Sequence, residues 1–274
     1  MIRLAVLLLA SSLTACSPRA TSQPARTVSA PCQDGDGYRD GERVCEARTV
    51  RLDRRDLKVD ASVNGSIHVE AWDGSGIELV SIVQAGAPRA AEARRLVDAT
   101  RVETRGTVRA VAPDTDGRPN TYVSTSYRVR VPRDTDLDLT ALNGSIAIAG
   151  VDGRVRLKTV NGSLRLSGLA GDVVGRTSNG SVAVELEGRA WEGTGLDLQT
   201  ENGSVTITLP DAYSADLDAS TKMGRISADG RVTSGATVTE GRWYGGSIEG
   251  TIGRGGAPIR AVTTNGSVRL RSAR

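Results

Sequence analysis

The chain of 274 residues holds a single histidine, His68, and three cysteines, Cys16, Cys32 and Cys45. His68 stands between Ile67 and Val69, a polar slot in an alternating strand, where a Ser-His-Asp relay has nothing to build on. The His and Cys spacings match no zinc site, and no metal or cofactor is expected. Cys32 and Cys45 bracket an Asp- and Gly-rich stretch, and in an oxidising compartment they would close a disulfide worth about 3 kcal/mol on chain-entropy grounds. Asp34, Asp36 and Asp40 sketch a calcium loop, but Tyr38 occupies a ligand slot and Cys45 stands where the closing glutamate belongs. Carboxylates elsewhere are expected mostly in turns: Asp114/Asp116, Asp134/Asp136/Asp138, Asp152, Asp172 and Asp211. They recur at no equivalent repeat positions, so a polysaccharide lyase or hydrolase is the alternative, and a non-enzyme the leading expectation. Trp72, Trp191, Trp243 and Tyr244 are candidates for sugar stacking, with capping or flanking of a core the plainer role.

The first fifteen residues carry an export signature: Arg3, an apolar run from Leu4 to Ala10, then Leu13-Thr14-Ala15-Cys16. That tetrad resembles the bacterial lipobox, which implies acylation of Cys16 and attachment to the membrane through lipid alone. Ser17 resembles the outer-membrane sorting signal of a cell with two membranes. Residues 16–31 are rich in Ser, Thr, Pro and Ala and are expected to form a disordered tether, followed by a disulfide segment over 32–47. A net charge of +3 is too small to point to nucleic acid. Arg128/Arg130 and Arg154/Arg156 alternate with apolar residues and mark solvent-facing strand positions, with a basic stripe for anionic envelope polymers as the sharper alternative.

Stepping along the chain, Asn-Gly-Ser recurs at Asn64, Asn143, Asn161, Asn179, Asn202 and Asn265, with Gly245-Gly246-Ser247 as a variant. An alternating apolar pair follows the asparagine slots, as in Ile146/Ile148 and Leu164/Leu166. The spacing is 18 residues from Asn143 to Asn161 and again to Asn179, and somewhat longer afterwards. Such a period marks a repeat architecture. Asn-Gly between strands suits a type I′ hairpin, giving an antiparallel meander or barrel as one possibility. The other is a β-solenoid in which corners stack at about 4.8 Å and asparagines bond amide to amide. Thr159, Thr177, Thr200 and Thr263 each precede the Asn by two residues, an identity that stacking rewards and a hairpin does not need. The expected fold is therefore an all-β, single-domain β-solenoid over 48–274, β-helix-like, with serial Asn-Gly-Ser turns, a helix insertion near 90–101 followed by strands over Val102–Val111 and Tyr122–Val131, and a small hairpin. The Lys222–Arg225 unit is a degenerate repeat.

Leader, lipobox, Cys…Cys segment, one early Asn-Gly-Ser-Ile strand, helix insertion and serial Asn-Gly-Ser strands together resemble the bacterial "putative adhesin" β-strand-repeat proteins, a family of unknown function. The resemblance spans Cys32 to Val268 and implies a β-helix-like fold and an adhesive role. The expected function is a lipid-anchored cell-envelope protein acting by non-catalytic binding, with envelope glycan or protein as partner. A regulatory envelope-stress lipoprotein is the third possibility.

Overall fold

Apolar residues at every second position need a shared interior, and two facing sheets supply it. The computed structural model describes residues 26–29, 41–62, 64–228, 232–240 and 245–273. The export signature, Cys16, Cys32, the Asp-rich loop, Trp243 and Tyr244 lie outside the described residues.

Among the described residues the first strands are β1 (Arg26–Ser29), β2 (Glu42–Leu52), β3 (Asp56–Asp60), β4 (Ile67–Ala71) and β5 (Ile77–Ala87). Helix α1 (Ala90–Ala99) follows, then β6 (Arg101–Glu103), β7 (Thr107–Val111) and β8 (Tyr122–Val131). Next come β9 (Asp136–Asn143), β10 (Ile146–Ala149), β11 (Asp152–Asn161), β12 (Leu164–Ser167), β13 (Ala170–Asn179) and β14 (Val182–Glu185). The chain continues through β15 (Gly195–Asn202), β16 (Val205–Leu209), β17 (Ala215–Met223) and β18 (Ile226–Ser227). It closes with β19 (Val232–Glu240), β20 (Gly246–Ile252), β21 (Pro258–Asn265) and β22 (Val268–Ser272).

These strands form two sheets of eleven. Sheet I runs β1-β2-β5-β8-β4-β10-β12-β14-β16-β22-β18, and sheet II runs β19-β20-β17-β21-β15-β13-β11-β9-β3-β7-β6. From β9 to β18 the chain alternates between sheets, and each strand pairs in parallel with its repeat neighbour: β11 with β9 and β13, β12 with β10 and β14. Strands on either side of Asn161-Gly162-Ser163 thus lie in different sheets, so the slot is a corner and not a hairpin turn. None of the six slot asparagines has a positive φ, which a type I′ turn would require.

The spatial order departs from the chain order at both ends. β21 and β22 insert between β15/β16 and β17/β18, placing the last Asn-Gly-Ser unit inside the array and the Lys222–Arg225 unit at its end. Likewise β7 and β8 lie outside β3 and β4. Antiparallel strands then flank the array: β5, β2 and β1 beyond β8 in sheet I, and β20 and β19 beyond β17 in sheet II.

Inward residues make the core in thin layers: Leu57 and Val59, Leu137 and Leu139, and Val155 and Leu157 from sheet II meet Ile67 and Val69, Ile146 and Ile148, and Leu164 and Leu166 from sheet I. Each fully buried aliphatic of this kind contributes roughly 1.5–3 kcal/mol. Beyond the reach of sheet II, α1 covers the extension of sheet I, packing Ala93, Leu96 and Val97 on Val83, Ala85 and Ala87. The Arg48 guanidinium, held by Glu46, bonds the Val97 and Thr100 carbonyls and neutralises the helix C-terminus.

Three expectations are corrected. Residues 26–29, placed in the disordered tether, form β1, because Thr27 and Val28 suit a strand and the edge of β2 stands open to receive it. Val102–Val111, expected as one strand, is two: β6 and β7 pair antiparallel, while β8 crosses to the other sheet. Gly245 joins no corner. It leads into β20, which runs antiparallel to β17 with Gly246 opposite Thr221, and without an asparagine amide it has no ladder to enter.

Candidate binding face

The corners fix everything else, and each residue of the Thr-x-Asn-Gly-Ser code bonds sideways to the next repeat. Asparagine amides run in one direction: Asn143 Nδ2 donates to Asn64 Oδ1 at 3.2 Å, Asn161 to Asn143 at 2.7 Å and Asn179 to Asn161 at 2.9 Å. Asn202 donates to Asn179 at 2.9 Å, and Asn265 to Asn202 at 2.7 Å. The threonine hydroxyls are buried and donate to corner carbonyls of the neighbouring repeat: Thr159 to Gly144 at 2.9 Å, Thr177 to Gly162 and Thr200 to Gly180 at 2.8 Å. Thr263 does the same to Gly203 and Thr221 to Gly266. Serine oxygens accept from the next repeat's serine amide, as Ser145 does from Ser163. The glycine is required by close approach: a Cβ on Gly162 would stand on the Gly144 carbonyl oxygen, and the same holds at Gly144, Gly180 and Gly203.

In-register stacking turns the outward residues into rows along each sheet. On sheet I one row reads Arg128, His68, Ala147, Arg165, Ala183, Thr206, Arg269. The parallel row reads Arg130, Glu70, Ala149, Ser167, Glu185, Thr208, Arg271. At about 4.8 Å per strand, Arg128, Arg165 and Arg269 recur every third strand, about 14 Å apart. Between them lies a shallow trough of about 300 Å³ lined by His68, Ala147, Ala149, Arg165, Ala183 and Glu185, among others.

His68 Nε2 lies 2.8 Å from Glu70 Oε1. That hydrogen bond, aided by Arg130, holds the Glu70 carboxyl below its ordinary 4.5. Glu78 takes Arg130 at 3.7 Å and Arg51 at 3.6 Å. Arg128, Arg165, Arg269 and Arg271 have no carboxylate within ion-pair distance among the described residues.

Sheet II presents the opposite pattern. Arg154 bonds Asp136 through its backbone amide at 2.9 Å and its guanidinium at 2.6 and 3.1 Å, lowering the Asp136 carboxyl from its ordinary 3.8. Arg176 meets Asp197 at 2.7 Å, while Arg260 bridges Asp197 at 3.4 Å and Asp218 at 3.1 Å. The alternating pairs Arg128/Arg130 and Arg154/Arg156, alike in sequence, therefore belong to different faces with different electrostatics.

The other candidates are placed as follows. Cys45 is buried on β2 opposite Gln84. Trp191 packs in the core and donates Nε1–H to Gly171 O at 3.0 Å. Trp72 donates to Gly76 O at 3.2 Å, with Gly74 against its ring. Asp114 accepts the Asp116 amide in a local turn at 2.8 Å. Among the described residues no three His, Cys, Asp or Glu side chains cluster to hold a metal, and no helix is long and apolar enough to cross a membrane. The rows through Arg165, Arg269 and Arg271 went unmarked in the sequence. Aligning the repeats on their asparagines and reading across them would have revealed the rows.

Residues 117–271, from the loop before β8 into β22, match the family model described as Toastrack DUF4097. The chain belongs to the Toastrack DUF4097 family. The Toastrack match leaves β1 to β7 and α1 outside it. Solved structures similar to this Toastrack chain include a "putative cell adhesion protein" from Clostridium sporogenes, 8% identical, covering 85% of this chain and 100% of that one, with a TM-score of 0.44. A "putative adhesin" from Bacteroides fragilis is 12% identical, with coverage of 83% and 97% and a TM-score of 0.40. A "putative lipid binding protein" from Parabacteroides distasonis is 12% identical, with coverage of 86% and 99% and a TM-score of 0.30. No curated protein matches this Toastrack chain.

Proposed function

We propose that this chain is an exported lipoprotein of the cell envelope, anchored through Cys16, whose repeats wind as a β-solenoid and act by non-catalytic binding. The observation that carries the proposal is the in-register asparagine ladder from Asn64 to Asn265. It holds long flat sheets rigid and repeats outward side chains across adjacent strands, so that individually weak contacts add by avidity. Residues 16–25 would carry the shaft away from an outer-membrane surface, and a Cys32–Cys45 bridge would tie the start of β2. His68 is engaged by Glu70 on an open face, an arrangement that supports a recognition role for this pair.

The test is fractionation. Wild-type protein should sediment with membranes and Cys16→Ala should appear in the soluble fraction, with Cys32 and Cys45 blocked to alkylation before reduction in both. Retention of Cys16→Ala on membranes, or free thiols at both cysteines, would remove that part of the proposal.

A further inference from the structure

We infer that the outward face of sheet I is a binding site for an acidic polysaccharide lying across the strands, a step that rests on the binding role proposed above and names its ligand class. From β5 to β22 this face holds five arginines against three glutamates, whereas sheet II from β3 to β17 holds seven cations against ten carboxylates. Charge is thus partitioned between two faces of one shaft, and only one of them attracts anions. Arg128, Arg165 and Arg271 are exposed and Arg269 is half-buried, none of them in an ion pair among the described residues. An uncommitted guanidinium receives a carboxylate in two-pronged fashion and gives up no internal partner to do so.

The floor between these posts favours a saccharide over other polyanions. Ala147, Ala149 and Ala183 leave a flat, shallow apolar surface for the C–H face of a sugar ring. Ser167, Thr206, Thr208 and Glu185 stand beside it as partners for hydroxyls. The rows carry no Phe, Tyr or Trp on which nucleobases would stack. They also offer no large apolar side chain that would enter a bilayer.

The test is binding of the detergent-solubilised full-length chain to polygalacturonate, with uncharged dextran and anionic phospholipid vesicles as comparisons. Wild type should bind polygalacturonate in preference to both, with affinity falling as salt rises. The triple variant Arg128→Ala/Arg165→Ala/Arg269→Ala should lose about tenfold or more, since three charges act together on one chain. The matching triple on sheet II, Lys58→Ala/Arg156→Ala/Lys158→Ala, should stay within about twofold of wild type. Glutamine replacements at the same three arginines, which keep their stems, should reproduce the loss with an unchanged melting temperature. Equal losses from both triples, no binding to polygalacturonate, or preference for the vesicles would overturn the inference. Membrane fractionation of the same protein reports on the anchored-lipoprotein proposal independently, so failure of one is distinguishable from failure of the other.

Discussion

At the corner, asparagine and glycine do different work, and substitutions separate them. Asn161 gives one exposed amide bond to Asn143 and receives one from Asn179. Asn161→Ala should therefore cost about 1 kcal/mol, the net worth of such bonds in water. Gly162→Ala pushes a methyl into the Gly144 carbonyl and against Thr159 Oγ1, and overpacking of that kind should cost about 3 kcal/mol. Chemical denaturation of the two variants checks the ranking. Equal or negligible effects would mean that the corners do not stack. Thr159 illustrates how far sequence reaches at this scale: its recurrence two residues before Asn was visible, yet its acceptor, the Gly144 carbonyl one repeat away, belongs to the neighbouring corner and is invisible locally. The constraint on Gly162 is contact with the neighbouring corner eighteen residues earlier, and not the positive φ that a hairpin turn would demand.

At the level of elements, sheet II is laced across its strands by ion pairs, and β9 to β11 is the clearest case. Three hydrogen bonds from Arg154 depress the Asp136 carboxyl below its ordinary 3.8. A depressed acid contributes stability that is complete above its unfolded value and lost as pH falls through the folded one. Melting temperature should hold nearly level down to about pH 4 and decline below it, with Asp136→Asn showing a shallower decline in that window. Both side chains are partly exposed, so the difference should be modest and should shrink in high salt. Identical slopes for the two proteins would dissociate this pair from acid sensitivity. Strand and helix positions were largely legible here, because alternation and the Ala-rich run of α1 are local signals. Residues 101–111 were misjudged since Gly106, with φ of 71°, breaks an apparently continuous strand pattern into β6 and β7.

For the whole molecule, the repeats are consecutive in sequence but not in space. The apolar and corner codes of β21/β22 fit a site between β15/β16 and β17/β18, so the degenerate Met223-Gly224-Arg225 corner needs no asparagine because the ladder stops at Asn265. Nothing in residue spacing distinguishes an inserted final repeat from an appended one, as both satisfy the same register. The partition of charge between faces was equally hidden, since it emerges only once rows from distant segments align. The most direct measurement is disulfide formation between paired cysteines at the corners, without reducing agent. Asn202→Cys with Asn265→Cys should oxidise readily, because neighbouring strands about 4.8 Å apart suit a disulfide. Asn202→Cys with Met223→Cys, two strands apart, should stay reduced. Oxidation of the second pair with none in the first would contradict the intercalated, in-register array on which the binding faces depend.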